Sequence, residues 1–284
     1  MLLYNGDSGG GLTARIEDDG SLTQLVVLPP GSVGQWTLIG SDGRTLVFLN
    51  QMSNGGTAAT MDDNGMLHPL PDRPTEAFDG WTNIAANNGW FMLYNATEGA
   101  AATGFVHPEP AGQFEFRRRF QLPPDTSFTD VVPAGWSSNG GGVDNRRFLF
   151  FDRTSGAGIT YRLDPGGQVT LLTRTEALPP PFTSSGEGWS HVAAHNNEGS
   201  GRLYSFHNNT RRGTTAQVEP DGTLMRLKDG VDGFQHCTNI GDGRRLLFYD
   251  RAGGRASTVE ISEDGSLHQL RELGRIGDFT HIVA

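Results

Sequence analysis

The pentapeptide MLLYN (residues 1–5) decides the fold, because variants of it recur along the whole chain. Its counterparts are LVFLN (residues 46–50), FMLYN (91–95), FLFFD (148–152), LYSFH (203–207) and LLFYD (246–250). Each is a short run of apolar and aromatic residues that ends in a polar residue, as expected of a buried strand followed by a turn. Repetition every 43 to 57 residues is typical of repeat architectures, so the sequence predicts six copies of one structural unit.

Each unit continues with three further strand-like segments. In the first unit these are TARIED (residues 13–18), SLTQLVVL (21–28) and, after a link rich in proline and glycine, WTLI (36–39). The first two are separated by a tight turn whose glycine provides the positive φ that a short hairpin requires. The equivalent turn glycines are Gly20, Gly65, Gly112, Gly167, Gly222 and Gly265. Four short strands per unit without helical periodicity predict the blades of a β-propeller.

The two ends of the chain indicate how the ring closes. The chain begins at the second strand of a unit and ends with FTHIVA (residues 279–284), an inner strand that lacks the rest of its unit. We therefore expect residues 277–284 to pair with residues 1–5, so that no sheet edge stays open. The sequence predicts a single all-β domain over residues 1–284, a six-bladed β-propeller with four antiparallel strands per blade.

Ser8 lies in GDSGG (residues 6–10), the pattern around the nucleophile of chymotrypsin-like proteases. Such a protease places its histidine and aspartate far upstream of the serine, and only seven residues precede Ser8. The equivalent positions of other units hold turns such as RTSGAG (residues 153–158). We therefore interpret Ser8 as a turn residue.

Composition and charge exclude several classes of partner. The formal net charge is −10, from 22 Lys and Arg against 32 Asp and Glu, so binding to nucleic acid or to an anionic membrane surface is not expected. The chain has no apolar stretch long enough to cross a bilayer, and MLLYNGDSGGG (residues 1–11) lacks the features of a signal peptide. With one cysteine, Cys237, the sequence predicts a cytoplasmic protein.

The repeat of the form WTxI, LLFYD and DGxL resembles the repeats of tachylectin-like and related bacterial β-propeller lectins. The resemblance covers the whole chain. It implies a symmetric propeller that binds small ligands, often sugars, between blades or near the axis. On this resemblance, the predicted function is that of a lectin-type protein that binds a small polar molecule or glycan.

Positions that differ between the repeats indicate an alternative function. The second residue of each inner strand is always a hydroxyl residue, whereas the third residue varies in the order Leu38, Asn83, Asp130, His191, Asn239 and His281. Because inner strands surround the axis, the histidines and the aspartate could bind a divalent metal there or act as acid and base. The alternative is therefore an enzyme (a lyase, isomerase, cyclase or hydrolase) whose single site in the central channel uses Asp130, His191 and His281. A ring of polar side chains bonded to water in the channel explains the same residues without a ligand.

Further residues are candidates for ligand binding. Asn83 and Asn239 belong to the varying ring, and three inner strands begin with a tryptophan, namely Trp36, Trp81 and Trp189. These aromatic rings would either pack between blades or stack on a sugar. Trp136 belongs to an insertion after an inner strand, which would form either a lid on one rim or a surface loop.

Overall fold

The computed structural model describes residues 1–70, 80–107, 114–124, 128–138, 144–175, 191–195, 201–207, 212–232, 237–238, 241–242 and 245–283. Strands and turns account for the regular structure of these ranges. Within them, no helix has the length and apolar character needed to span a membrane.

The strands form six antiparallel sheets, which we call blades 1 to 6. Blade 1 contains β1 (Leu2–Asn5), β2 (Gly10–Ile16) and β3 (Leu22–Leu28). Blade 2 contains β4 (Leu38–Ser41), β5 (Thr45–Asn50), β6 (Gly55–Met61) and β7 (Leu67–Pro69). Blade 3 contains β8 (Asn83–Asn87), β9 (Trp90–Asn95), β10 (Ala100–Val106) and β11 (Phe114–Gln121). Blade 4 contains β12 (Asp130–Ser138), β13 (Asp144–Phe151), β14 (Gly158–Leu163) and β15 (Val169–Thr175). Blade 5 contains β16 (His191–His195), β17 (Gly201–His207), β18 (Arg212–Val218) and β19 (Leu224–Asp232). Blade 6 contains β20 (Cys237–Thr238), β21 (Gly241–Asp242), β22 (Arg245–Asp250), β23 (Arg255–Ile261) and β24 (Leu267–Arg275), and β25 (His281–Val283) returns to blade 1.

The C-terminal strand closes the ring as the sequence predicts. β25 pairs antiparallel with β1, with Leu2 opposite Val283 and Tyr4 opposite His281. Asn5 Nδ2 also donates a hydrogen bond of 2.7 Å to the Asp278 carbonyl. Blade 1 therefore has the strand order β25-β1-β2-β3, and the predicted six-bladed propeller is confirmed.

Six buried hydrophobic clusters hold the blades together, one at each junction between neighbours. Because successive side chains of a strand point to opposite faces, the second strand of each blade contributes to two junctions. In β9, Phe91 and Leu93 pack towards blade 2, whereas Met92 and Tyr94 pack towards blade 4. The alternation explains why these strands are mostly apolar, since both of their faces are buried.

The turn glycines have the predicted backbone conformation. Gly20, Gly65, Gly167, Gly222 and Gly265 have φ between +81° and +88°, and Gly112 lies outside the described residues. At four junctions a threonine of one blade donates to the carbonyl of the neighbouring blade's turn glycine. The pairs are Thr13 with Gly65, Thr160 with Gly222, Thr215 with Gly265 and Thr258 with Gly20, at 2.7 to 2.9 Å.

Candidate functional site

The hydroxyl residues that precede the inner strands have a structural role. Thr82 Oγ1 accepts a hydrogen bond of 2.9 Å from the Ala96 amide and lies 3.1 Å from the Tyr94 carbonyl. Thr37, Thr129 and Thr280 accept equivalent bonds from the amides of Gln51, Arg153 and Gly6. Each of these four hydroxyls thus ties the start of an inner strand to the region just after the second strand, which gives a physical reason for the small variation at this position.

In the blades whose turn the structure describes, the polar residue that ends the second strand fixes the turn that follows. Asn5 Oδ1 accepts hydrogen bonds from the amides of Asp7 and Ser8, at 3.0 and 2.9 Å. Equivalent turns follow Asn50, Asn95 and Asp152. Ser8 is exposed, and its hydroxyl bonds to the backbone of its own turn at Asn5 and Gly10, so its interpretation as a turn residue is confirmed.

A cavity of about 840 Å³, largely open to solvent, lies at the junction between blades 3 and 4, where the inner strands begin. We call it the site cavity. Its lining consists of Thr82, Asn83, Ala96, Phe128, Thr129, Asp130, Asp152, Arg153 and Thr154. Two of the sequence-predicted residues, Asn83 and Asp130, therefore face the same space.

The small side chain of Ala96 contributes to the space at this junction. The equivalent residue of blade 2 is Gln51, whose Nε2 donates a hydrogen bond of 3.1 Å to the Trp81 carbonyl of blade 3. That amide occupies the junction between blades 2 and 3. Ala96 has only a methyl group and cannot reach the equivalent carbonyl, that of Phe128, so both residues line the site cavity.

Asp130 and Arg153 form an ion pair in the wall of the site cavity. The Arg153 guanidinium donates from Nε to Asp130 Oδ2 and from Nη2 to Oδ1, each at 2.5 Å. Thr129 Oγ1 donates to Asp130 Oδ2 at 2.6 Å. The side chains of Asp130 and Arg153 are 15% and 40% exposed. The two-point pairing holds both groups in one orientation at the cavity surface.

His281 has a different environment, between blades 1 and 2. Its Nε2 lies 2.9 Å from the Thr37 carbonyl and its Nδ1 lies 2.8 Å from Thr280 Oγ1. Burial lowers the pKa of the imidazole, outweighing the opposite effect of the bond to the Thr37 carbonyl, and the charge of Arg251 lowers it further. Both ring nitrogens thus contact protein groups, and His281 is not part of the site cavity's lining.

His191 begins β16, the inner strand of blade 5, which packs against β12. Its side chain lies outside the described residues. Among the described side chains, no group of three His, Cys, Asp or Glu residues is arranged to hold a metal ion. Because that search does not include the His191 side chain, the divalent metal on the axis stays a prediction.

The tryptophans that begin inner strands pack between blades where the structure describes them. Trp81 is only 4% exposed, stacks on Phe116 and carries the Arg119 guanidinium 5.4 Å above its ring centroid. Trp36 packs on Phe48 in the cluster between blades 1 and 2. Both rings therefore contribute to packing between blades, and their role in ligand binding stays a prediction. Trp189 and Asn239 lie outside the described residues.

Trp136 does not belong to a loop, which corrects the interpretation of this segment. It lies in β12 opposite Arg146, whereas Asp130 lies opposite Phe151 at the other end of the strand. Because these partners are five residues apart on β13, Trp136 and Asp130 lie about 17 Å apart along the strand. Trp136 is accordingly absent from the lining of the site cavity.

Arg153 is the functional candidate that the sequence prediction missed. It follows the strand-ending Asp152, at the position occupied in other blades by Gly6, Gln51, Ala96 and Arg251. This position varies as much as the third residue of the inner strand. Comparing the two varying positions across the blades would have paired Arg153 with Asp130.

No protein-family model and no curated protein matches this chain. Solved structures do share its fold. A candidate 6-phosphogluconolactonase from Bacteroides uniformis matches with a TM-score of 0.57 and 15% identity, over 98% of this chain and 82% of that one. The periplasmic gluconolactonase of Pseudomonas aeruginosa matches with a TM-score of 0.57 and 15% identity, over 99% and 97% of the two chains. A second candidate 6-phosphogluconolactonase, from Bacteroides fragilis, has a TM-score of 0.52 and 13% identity over 96% and 95%.

These matches correct the predicted function. The three propellers are named for lactonase activity, whereas the repeat resemblance led us to expect a lectin-type binding protein. The lectin-type prediction is wrong on this comparison, and the enzyme alternative is the better supported of the two. Identity of 13 to 15% establishes the fold alone, so the chemistry must be argued from the site cavity.

Proposed function

We propose that the protein is a hydrolase that opens a small, polar lactone in the site cavity between blades 3 and 4. The observation that carries the proposal is the Asp130–Arg153 ion pair in the wall of a cavity large enough for a sugar-sized ligand. The lactonase names of the fold neighbours favour hydrolysis of a cyclic ester among the enzyme classes that the sequence leaves open.

Lactone hydrolysis needs a base for the attacking water and a positive group for the developing oxyanion. In the proposed mechanism the Asp130 carboxylate takes a proton as the water oxygen bonds to the lactone carbonyl carbon. The Arg153 guanidinium stabilises the negative charge that develops on the carbonyl oxygen. When the bond between the carbonyl carbon and the ring oxygen breaks, the ring oxygen receives the proton from Asp130. The product is an open-chain hydroxy acid.

The remaining lining residues would hold the substrate in place. Asn83 and Thr82 on blade 3 and Thr129 on blade 4 offer amide and hydroxyl groups to the hydroxyls of a sugar lactone. Ala96 leaves the room that such a ring requires. His191 is the second candidate acid–base group, because the strand that it begins packs against β12.

The experiment is hydrolysis of D-glucono-1,5-lactone by the wild type and by Asp130→Asn. Asparagine occupies the equivalent position of blade 3 as Asn83, so we expect the variant to fold normally. Because the amide cannot accept the proton of water, kcat/KM should fall by roughly 10²- to 10⁴-fold.

Asp250→Asn is the matched control, since it makes the same chemical change in blade 6, outside the site cavity. It should hydrolyse the lactone at the wild-type rate. Wild-type activity in Asp130→Asn, or no hydrolysis of any sugar lactone by the wild type, would contradict the proposed function.

A further inference from the structure

The charge of the site cavity bears on which lactones it would accept. Of its described lining residues, Asp130 and Asp152 are acidic, Arg153 is basic, and the others are uncharged. The wall therefore carries a formal charge of −1. The Arg153 guanidinium bonds to the Asp130 carboxylate at two points, and its positive charge is more than offset by the two carboxylates of the lining.

From this balance we infer that the site selects an uncharged, hydroxyl-rich lactone and discriminates against one that carries a phosphate group. The inference rests on the proposed function and adds a substrate class to it. A phosphate ester carries about −1.5 to −2 charges at neutral pH, and it would meet a wall and a chain that are both negative. Sites that favour phosphate instead present several guanidinium groups or converging backbone amides.

The acidic wall suits both an uncharged substrate and the release of its product. Carboxylates accept strong hydrogen bonds from sugar hydroxyls, and Asp152 lies in the same wall as the hydroxyls of Thr82 and Thr129. Ring opening produces a carboxylate, which the wall repels. Substrate binding and product release are thus both favoured by the same charge.

Asp152 offers a variant that changes this charge without changing the turn. Its carboxylate accepts hydrogen bonds from the amides of Thr154 and Ser155. Asn5 and Asn95 form the same turn with an amide oxygen. Asp152→Asn should therefore keep the fold while making the wall electrically neutral.

The test compares kcat/KM for D-glucono-1,5-lactone and its 6-phosphate in the wild type, Asp152→Asn and the control Asp250→Asn. We expect the wild type to prefer the uncharged lactone at least tenfold. Asp152→Asn should narrow this preference by roughly tenfold, and Asp250→Asn should leave it unchanged. Equal or better hydrolysis of the phosphorylated lactone by the wild type, or an unchanged preference in Asp152→Asn, overturns the inference.

A binding measurement separates this inference from the proposed function. Gluconolactam and its 6-phosphate are amide analogues that resist hydrolysis, and calorimetric titration of each with wild-type protein reports charge selectivity without turnover. Tighter binding of the uncharged analogue supports the inference even if no lactone is hydrolysed. Tighter binding of the phosphorylated analogue, or no binding of either, overturns it even if hydrolysis is observed.

Discussion

Asp130 and His281 occupy equivalent positions in blades 4 and 1, yet their surroundings give them different chemistry. Asp130 pairs with Arg153 beside a cavity, whereas the His281 ring is half-buried and contacts Thr37 and Thr280. The sequence predicted that this position holds the functional residues, because it varies from blade to blade. It could not separate the two cases, since the difference depends on neighbours from other strands.

The remaining features of the site left weaker signals in the sequence. Arg153 follows a turn-forming aspartate, and it resembles an ordinary turn residue until its distance to Asp130 is known. Ala96 contributes by being small, and an alanine carries no chemical signature. Side chains that act by leaving space are found only when the packing around them is known.

His281 should make stability depend on pH. Because its pKa is lowered in the folded protein, the unfolded chain binds more protons at this site, and stability rises with pH through the titration range. The contribution is complete above about pH 7 and is lost as pH falls through the unfolded value, near 6.5. Urea unfolding between pH 8 and pH 5 should show a smaller loss of stability for His281→Asn than for the wild type.

Asparagine is the appropriate replacement for His281 because Asn83 occupies the equivalent position in blade 3. Other titrating groups are the same in both proteins and cancel in the comparison. Parallel stability curves for the variant and the wild type would show that His281 is not the group responsible.

Among the elements, the turns were the most predictable and the inner strands the least. D-G and N-G steps indicate hairpins directly, whereas VVPAGWSS (residues 131–138) contains proline and glycine and is typical of a loop. The structure keeps this segment in β12 by a register irregularity between Pro133 and Trp136.

Blade 6 also departs from the alignment of the repeats. Thr238 lies opposite Tyr249 in blade 6, whereas in blade 3 the residue opposite the equivalent Tyr94 is Asn83.

Alanine substitutions at two turn glycines distinguish the stability cost of a positive φ from the cost of steric overlap with a neighbouring blade. Gly265 has φ +83°, and a Cβ there would lie 2.3 Å from Thr215 Oγ1 and 2.5 Å from Leu227 Cβ. Gly43 has φ +94° with nothing within 4 Å. Gly43→Ala should cost about 1–2 kcal/mol from the positive φ. Gly265→Ala should cost a further 1–3 kcal/mol or so from the overlap with blade 5.

Urea unfolding of the two alanine variants measures this difference. Equal losses of stability would mean that the turn does not pack against the neighbouring blade as tightly as the structure indicates.

At the scale of the whole molecule, the sequence predicted the closed ring because the first segment is a second strand and the last segment is the inner strand that completes the same blade. Six similar junctions follow from six similar second strands, each apolar on both faces. Function was less predictable. The residues that repeat in every unit determine the fold. The same residues resemble those of β-propeller lectins, and this resemblance led to the wrong prediction of a lectin-type function. The catalytic proposal depends instead on one asymmetric junction.

Removal of residues 277–284 should destabilise the whole propeller. The truncation takes away β25, the bond from Asn5 to the Asp278 carbonyl, and the buried side chains of Phe279 and Ile282. We expect a chain ending at Ile276 to melt roughly 10 °C or more below the full chain. Adding a synthetic peptide of residues 277–284 should restore part of the loss. A melting temperature within a few degrees of the full chain would contradict closure of the ring by β25.

The most direct test of a catalytic site between blades 3 and 4 is the kcat/KM of Ala96→Gln for D-glucono-1,5-lactone. Gln51 shows that the repeat accommodates a glutamine at this position, bonded to the Trp81 carbonyl, and the introduced amide should reach the equivalent Phe128 carbonyl and occupy part of the site cavity. We predict a loss of at least 100-fold or so with an unchanged melting temperature, whereas Gln51→Ala, the reciprocal control, should keep wild-type activity. Wild-type turnover by a folded Ala96→Gln variant would contradict a catalytic site at this junction.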